Sequence, residues 1–287
     1  MGKNLLEPIQ ASELSRRLGL PLLGADREIR ELCGLDSLTG HGLSFLRDSR
    51  PGADCAGTVF SARPSQESAL SVLLAEEPRF AFIRAQHLLQ SSPGFVEDAA
   101  PADIHPTARV GRQAVIEDGV SIGEGTRIGS LAVIKTGTRI GKFCEIKSGA
   151  VIGESGFGFE RDADNRPLKM LHFGGVRIGD YVEIGSLTTV CRGALGDTVV
   201  GDHVKIDDHC HISHNCRIGE SSMITACVEI SGSVVIGKNV WLGPGCSLVQ
   251  KIAVGDGVFI GIGAVVTRSV PAKARIFGNP ARPIPTL

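Results

Sequence analysis

The sequence predicts a left-handed parallel β-helix preceded by a small α/β domain. Aliphatic residues recur every six positions from Ile104 to Ile152 and again from Val200 to Val266. Glycine often follows them, as at Gly123 and Gly219, and the chain holds 37 glycines but only 5% aromatic residues. A six-residue period is typical of a parallel β-helix. It matches neither the 3.6-residue period of an amphipathic helix nor the alternation of a single strand.

The first hundred residues lack this period and predict a separate α/β domain, residues 1–100. Residues 11–19 read as a short helix that ends at glycine, and residues 56–60 read as a strand. Residues 69–74 and 80–89 are interpreted as a further strand and helix.

The hexads predict a β-helix domain over residues 101–267. Three hexads close a triangular coil, so that a residue lies below the residue 18 positions later in the chain. Residues 154–177 interrupt the period and are too long for a simple corner. Residues 268–287 are rich in proline and predict a C-terminal tail without a helix.

Composition excludes several classes of protein. The net charge is −1, and no basic stripe predicts nucleic-acid binding. No apolar run approaches the roughly 18 residues of a membrane span, and no signal-peptide core follows Met1, so that a cytoplasmic protein is expected. The eight cysteines form no CxxC pairs and are expected to be small apolar residues in a reducing compartment.

The densest polar stretch of the hexads is residues 207–215. His214 follows an inward residue by two positions and should face outward near a corner. A carboxylate such as Asp207 can orient an imidazole, which suits a general base. Gly232, 18 residues after His214, could present an unhindered N–H to an oxyanion. The alternative that this stretch is merely a solvated polar corner stays open.

A metal site is the rival interpretation of the same stretch. His209 and His214 are five residues apart, a spacing that can share a metal across a trimeric β-helix, as in γ-class carbonic anhydrases. A catalytic zinc site needs at least three protein ligands, and no third ligand is evident in the sequence. We therefore expect no metal.

Several motifs resemble those of the UDP-3-O-(3-hydroxyacyl)glucosamine N-acyltransferases of lipid A biosynthesis. The resemblance spans residues 10 to about 265, and its residues are the motifs Gly156-Phe157-Gly158-Phe159, Val182-Glu183-Ile184-Gly185, Arg192-Gly193-Ala194-Leu195 and Ile212-Ser213-His214-Asn215. It implies a homotrimer in which His214 is the general base, Asp207 its acidic partner and Gly232 the oxyanion donor.

The same resemblance assigns substrate contacts. It implies a uridine-binding N-terminal domain that includes Phe45, and it makes Asn215, Phe157 and Gly158 candidate substrate-binding residues. Lys251 aligns with a second family histidine and could contact the phosphate or carbonyl of the donor. Pro51 stands where the family has a tyrosine.

The identity of the acyl donor is left open by the sequence. The family's C-terminal helices have no counterpart, and the end resembles CoA-dependent sugar acetyltransferases. The expected donor is therefore a thioester of CoA or of acyl carrier protein, with no other cofactor. The expected acceptor is the amine of a nucleotide-linked aminosugar, and the alternatives are sugar O-acetylation or a metal-dependent hydratase.

Overall fold

The computed structural model describes residues 2–46, 56–65, 69–97 and 100–283. The chain divides into two compact units. The N-terminal unit consists of Met1–Glu97, Gly158–Gly174 and Ala194–Gly196, and the solenoid unit holds the remaining residues. Part of the interruption in the hexads thus belongs to the N-terminal unit.

A six-stranded mixed sheet with two helices forms the N-terminal unit. The strands are β1 (Lys3–Gln10), β2 (Leu22–Leu23), β3 (Glu28–Leu32), β4 (Gly42–Phe45), β5 (Gly57–Ser61) and β6 (Leu70–Leu74), in the order β1-β3-β4-β5-β6-β2. Strands β3 to β6 pair in parallel, whereas β1 and β2 pair antiparallel at the edges. A short 3-10 turn, Leu35–Ser37, lies between β3 and β4.

Both helices predicted from the sequence are confirmed. Helix α1 (Ala11–Leu18) ends at Gly19, whose φ of 69° lies in the left-handed region that glycine adopts without strain. Helix α2 (Pro78–Ser91) begins with proline, which suits the first helical turn. Its buried Phe82 packs edge-on against Phe60 of β5, and this contact helps to close the core of the unit.

Helix α2 also binds the segment that interrupts the hexads. Phe159–Arg161 and Pro167–Lys169 form an antiparallel hairpin. The buried side chain of Gln86 donates to the Leu171 carbonyl and accepts from the Leu171 N–H, both at 3.0 Å. Arg79 pairs with Glu160 of the hairpin. Residues 158–174 are therefore a packed segment of the N-terminal unit.

The solenoid unit is a parallel β-helix with three sheet faces. The first face contains Asp103–Ile104, Ser121–Ile122, Thr138–Ile140, Val176–Ile178, Thr198–Val200, Arg217–Ile218, Val235–Ile236 and Ala253–Val254. The second contains Arg109–Val110, Arg127–Ile128, Glu145–Ile146, Glu183–Ile184, Lys205–Ile206, Met223–Ile224, Trp241–Leu242, Phe259–Ile260, Arg275–Phe277 and Arg282–Pro283. The third contains Val115–Ile116, Val133–Ile134, Val151–Glu154, Thr189–Cys191, His211–Ile212, Glu229–Ile230, Ser247–Leu248 and Val265–Val266.

The register of these strands explains the sequence period. Ile122 lies beside Ile140, one coil of 18 residues later, and both are buried in the core of the helix. Glycine follows Ile122 because a Cβ atom on Gly123 would lie 2.6 Å from the carbonyl oxygen of Gly141. The parallel β-helix and its N-terminal α/β domain are thus confirmed.

The 18-residue spacing fails at the insertions. Ile140 pairs with Ile178, and Ile178 pairs with Val200, so the inserted residues leave the coil without disturbing the order of its faces.

The C-terminal segment, which was expected to be a tail, also differs from expectation. Val270 bridges to Val254, and Arg275–Phe277 pairs in parallel with Phe259–Ile260, so these residues extend the stack.

The cysteines that the structure describes are all free thiols. Burial raises the pKa of Cys216 to about 12 and that of Cys246 to about 12. Such thiols are unreactive apolar residues of the core, as the sequence predicts, whereas Cys227 is exposed and departs from that prediction. Among the described residues, no helix is long and apolar enough to span a membrane.

Candidate active site

His214 lies at the corner that follows the third face. It comes two residues after Ile212, which pairs with Ile230 of the next coil. Its carbonyl oxygen accepts a hydrogen bond of 2.9 Å from the N–H of Ser233. The structure therefore places Gly232 directly above His214, as the 18-residue spacing predicts.

Two glycines border the imidazole ring of His214. A Cβ atom on Gly232 would lie 2.7 Å from both Cε1 and Nε2 of the ring. A Cβ atom on Gly156 would lie 2.8 Å from Cδ2 and 2.9 Å from Cβ of the same histidine. Both glycines are buried, whereas His214 is half-buried. A side chain at either position would therefore displace the side chain of His214.

The other ring nitrogen faces Asn215. Nδ1 of His214 lies 3.1 Å from the side-chain oxygen Oδ1 of Asn215. Because this amide oxygen only accepts, the contact favours the tautomer with the proton on Nδ1 and the lone pair on Nε2. Asn215 has a φ of 60°, a conformation that asparagine tolerates well, and its N–H donates to Oγ1 of Thr198 at 2.9 Å. The lone pair of Nε2 therefore lies on the side of the ring that faces Gly232.

Asp207 is not at this corner. It follows strand Lys205–Ile206 of the second face, one corner before His214. Its carboxylate accepts a hydrogen bond of 2.8 Å from the N–H of Asp208, and its carbonyl accepts one of 2.7 Å from Oγ1 of Thr188. Within one chain a full face of the triangle lies between Asp207 and His214, and their pairing stays a prediction.

The two histidines of the rival metal site are also at different corners. His209 shares the corner of Asp207 and is exposed, with a φ of 59°. Within the described parts of the chain, no three His, Cys, Asp or Glu residues come together as a metal site would require. The spacing of five residues therefore does not bring His209 and His214 together within one chain.

A ladder of charges lies along the same corner as His214, in the preceding coils. Arg192 follows Val190 by two residues and so occupies, one coil earlier, the position of His214. Its guanidinium donates to the carbonyls of Gly153 and Thr136 at 2.7 and 2.6 Å. Further along, Lys135 forms an ion pair of 2.7 Å with Glu117. Along this corner, the coils before His214 thus carry charged side chains, and the coil after it carries Gly232.

Comparisons with known proteins give the family of this chain. Residues 119–154 and 197–232 match the bacterial transferase hexapeptide (six repeats) family. The UDP-3-O-acylglucosamine N-acyltransferase of Delftia acidovorans (strain DSM 14801 / SPH-1) is 35% identical over 274 residues, covering 88% of this chain and 81% of the relative. The enzyme of the same name from Pseudomonas fluorescens (strain SBW25) is 36% identical over 310 residues, covering 91% and 83%. The chain belongs to the UDP-3-O-acylglucosamine N-acyltransferase family. It is an acyltransferase.

Solved structures extend the likeness to a neighbouring activity. The UDP-N-acetylglucosamine acyltransferase of Francisella novicida is 27% identical, with a TM-score of 0.56, over 64% of this chain and 68% of that one. LpxA of Acinetobacter baumannii is 26% identical, with a TM-score of 0.58, over 66% and 72%. These similarities support the β-helix fold of this chain.

Two further residues of the solenoid unit were predicted to bind substrate. The side chain of Phe157, next to Gly156, is 87% exposed. Lys251 is exposed, has a φ of 65°, and donates its N–H to the carbonyl of Gly232 at 3.0 Å. Lys251 therefore lies one coil above the glycine that borders His214. Their contacts with substrate stay predictions.

The remaining predicted residues of the acyltransferase lie in the N-terminal unit. Phe45 ends strand β4 and is half-buried, with its ring centroid 5.1 Å from that of Phe82. Gly158 accepts a hydrogen bond of 2.8 Å from the N–H of Met170, and a Cβ atom on it would lie 3.1 Å from Cε1 of His172. Residues 47–51, where the chain departs from the family's tyrosine motif, lie outside the described residues.

The residue that sequence reasoning missed is Gly156. Its motif was recognised, but its contact with His214 was not, because insertions separate the two in the hexad count. The strand register places Glu154 at the position equivalent to His214, two coils earlier, since Ile152 pairs with Val190 and Val190 pairs with Ile212. Gly156 lies two residues beyond Glu154, in the insertion, and the tertiary structure brings it against the imidazole of His214.

Proposed function

We propose that this chain transfers an acyl group from a thioester to the amine of a UDP-linked 3-O-acylglucosamine. The observation that supports it best is the setting of His214. Its Nδ1 lies 3.1 Å from the amide oxygen of Asn215, which favours the tautomer with the proton on Nδ1 and the basic lone pair on Nε2. This setting occurs in a chain whose relatives are named for that acylation.

The residues act in a simple order. The acceptor amine attacks the thioester carbonyl while Nε2 of His214 takes a proton from the nitrogen. The backbone N–H of Gly232 donates a hydrogen bond to the oxyanion of the tetrahedral intermediate, a role in which one donor is typically worth about 10²–10³ in rate. The intermediate then expels the thiolate, which takes a proton from the imidazolium of His214, so that the products are an amide and a free thiol and the base is restored.

The proposal includes the assembly and the co-substrate. The enzyme is a homotrimer, because a thin prism offers a cleft only where prisms pack side by side, and closed symmetry is the usual solution. The donor is a thioester of acyl carrier protein or CoA. No metal or further cofactor takes part.

The test measures amide formation by mass spectrometry. The purified chain is incubated with UDP-3-O-acylglucosamine and either acyl carrier protein or CoA carrying the same 3-hydroxyacyl group. We expect a product one acyl group heavier, and none from an acceptor whose amine is already acetylated. Acylation of the blocked acceptor would instead show O-acylation and contradict the proposal.

The role of His214 is tested with a matched pair of variants. His214→Ala should lower turnover by roughly 10²–10⁴, the range of general-base catalysis. His209→Ala removes a second corner histidine of the same segment, which is exposed, and should leave turnover unchanged. If both variants lose turnover to a similar extent, and added zinc restores neither, His214 is not the general base. Activity that chelation abolishes and zinc restores would support the hydratase-type alternative.

A further inference from the structure

We propose that Gly156 is a positioning residue, which together with Gly232 forms a slot that holds the imidazole of His214 in its reactive orientation. The two glycines lie at opposite ends of the ring. A Cβ atom on Gly156 would meet Cδ2, Cβ and Cγ, at 2.8, 2.9 and 3.1 Å. A Cβ atom on Gly232 would meet Cε1, Nε2 and Nδ1, at 2.7, 2.7 and 3.3 Å. The slot therefore limits the ring from two sides.

The identity of the neighbouring atoms separates this slot from the ordinary role of glycine in the coils. At Gly123 and Gly219 a Cβ atom would meet backbone atoms of the next coil. At Gly156 and Gly232 the three nearest atoms all belong to one side chain, that of His214. The need for glycine at these two positions therefore comes from the imidazole and not from coil stacking.

Backbone conformation gives no other reason for glycine at position 156. Gly153, three residues earlier, has a φ of 90° and needs glycine for its backbone. Gly156 is not among the residues with positive φ. An alanine at 156 would thus be acceptable to the backbone, and only the ring of His214 would have to move.

A displaced ring would matter because proton transfer depends on position. Reacting groups must lie within hydrogen-bond reach, and a misplacement of about 1 Å can lower a rate by roughly 10²-fold. Asn215 fixes the tautomer of His214 but contacts only one nitrogen. Gly156 and Gly232 add a steric constraint on where Nε2 lies. This inference rests on the proposed role of His214 as the base.

The first experiment compares Gly156→Ala with Gly40→Ala, a control in the N-terminal unit whose added Cβ atom would meet nothing within 4 Å. We expect Gly156→Ala to lower kcat by about 10- to 100-fold while both KM values change by less than about threefold. Gly40→Ala should leave both parameters at wild-type values. In a His214→Ala background, Gly156→Ala should lower the residual rate by less than about threefold, because there is no ring left to displace.

A second measurement does not depend on turnover. Diethylpyrocarbonate modifies accessible neutral imidazoles, and peptide mass spectrometry reports the rate at each histidine. In Gly156→Ala the rate at His214 should rise at least about threefold while the rate at His209 stays constant, since a ring displaced from the slot is more open to solvent. Circular dichroism and gel filtration establish that the fold is retained.

The outcomes separate the slot from the proposed function. Unchanged reactivity of His214 in Gly156→Ala would overturn the slot even if His214→Ala is inactive. Equal rate losses with and without the imidazole would also overturn it, as would a Gly156→Ala chain that fails to fold. Full activity of His214→Ala would show that His214 is not the base. A changed reactivity of His214 toward diethylpyrocarbonate in Gly156→Ala would still show that Gly156 confines the ring.

Discussion

At the scale of single residues, the tautomer of His214 depends on the residue that follows it. Asn215 adopts a left-handed backbone conformation, with a φ of 60°. Its side-chain oxygen Oδ1 lies 3.1 Å from Nδ1 of His214. The neutral amide accepts a proton donor without adding charge to the corner. A carboxylate at the same place would stabilise the protonated imidazole instead.

Replacing Asn215 by aspartate should therefore change the pH dependence of the reaction. Asn215→Asp keeps an acceptor and tolerates the left-handed backbone, but it places a negative charge beside Nδ1. The acidic limb of kcat/KM should shift upward by about 1 pH unit, because the imidazolium is favoured and the free base is formed only at higher pH. The measurement is initial rate against pH from 5 to 9.

The matched control is Asn239→Asp. Asn239 also lies at a corner with a φ of 54°, but at a different edge of the prism. The Asn239→Asp substitution adds the same negative charge in the same backbone conformation. The pH profile of this variant should therefore coincide with that of wild type. If both variants shift the profile equally, the effect is one of net charge, and Asn215 has no special relation to His214.

At the scale of the coil, ion pairs stabilise neighbouring turns locally. In a solenoid each repeat contacts only its neighbours, so stability is a sum of local terms. The ion pair with Lys135 and the N–H of Thr136 lower the pKa of Glu117 below its usual 4.5. Because the folded-state pKa is lowered, this contribution is present above the unfolded pKa and is lost as the pH falls through the folded value.

Glu117→Gln should reveal that contribution. At pH 7 the variant should be less stable than wild type by about 0.5 kcal/mol, the size of a partly exposed ion pair. The difference should disappear as the pH falls well below 4.5, where the wild-type carboxylate is also protonated. The free energies of unfolding of the variant and the wild type are measured at pH 7 and pH 3 by urea unfolding followed by circular dichroism.

Glu124→Gln serves as the control for this experiment. Glu124 pairs with Lys142 at 3.8 Å, and both side chains are largely exposed. Such a pair is worth little, so the variant should unfold like wild type at both pH values. A Glu117→Gln chain whose stability deficit is the same at pH 7 and at pH 3 would show that the carboxylate charge contributes nothing.

At the scale of the whole molecule, the separation of Asp207 and His214 points beyond a single chain. The two residues lie at successive corners of the triangle, each with partners of its own. If Asp207 supports His214, it does so from another subunit of the proposed homotrimer. In a closed assembly, different corners of identical prisms face one another.

Subunit mixing tests this arrangement. Asp207→Ala and His214→Ala chains are each expected to be impaired, and unfolding and refolding them together at equal amounts should restore activity. About a quarter of the interfaces would pair an intact histidine with an intact aspartate if the subunits assemble at random. Refolding each variant alone is the control. Full activity of Asp207→Ala by itself would show that this carboxylate has no role in the reaction.

Much of the architecture follows from the sequence because its signals are local. The hexad reflects a repeating contact between residues one coil apart, so Ile122 and Ile140 could be paired by counting. The same count placed Gly232 above His214, since no insertion falls between them. Helix α1 and its glycine end were equally evident, because capping depends on neighbours in the chain.

Tertiary structure alone decided the contacts that cross an insertion or a corner. Residues 158–174 leave the coils and pack against helix α2 through Gln86, a contact that the six-residue period does not predict. Gly156 reaches His214 because inserted residues are excluded from the stack, which makes distance in sequence a poor guide to distance in space. Asp207 and His214 are only seven residues apart, yet a rigid strand between two corners keeps them from meeting.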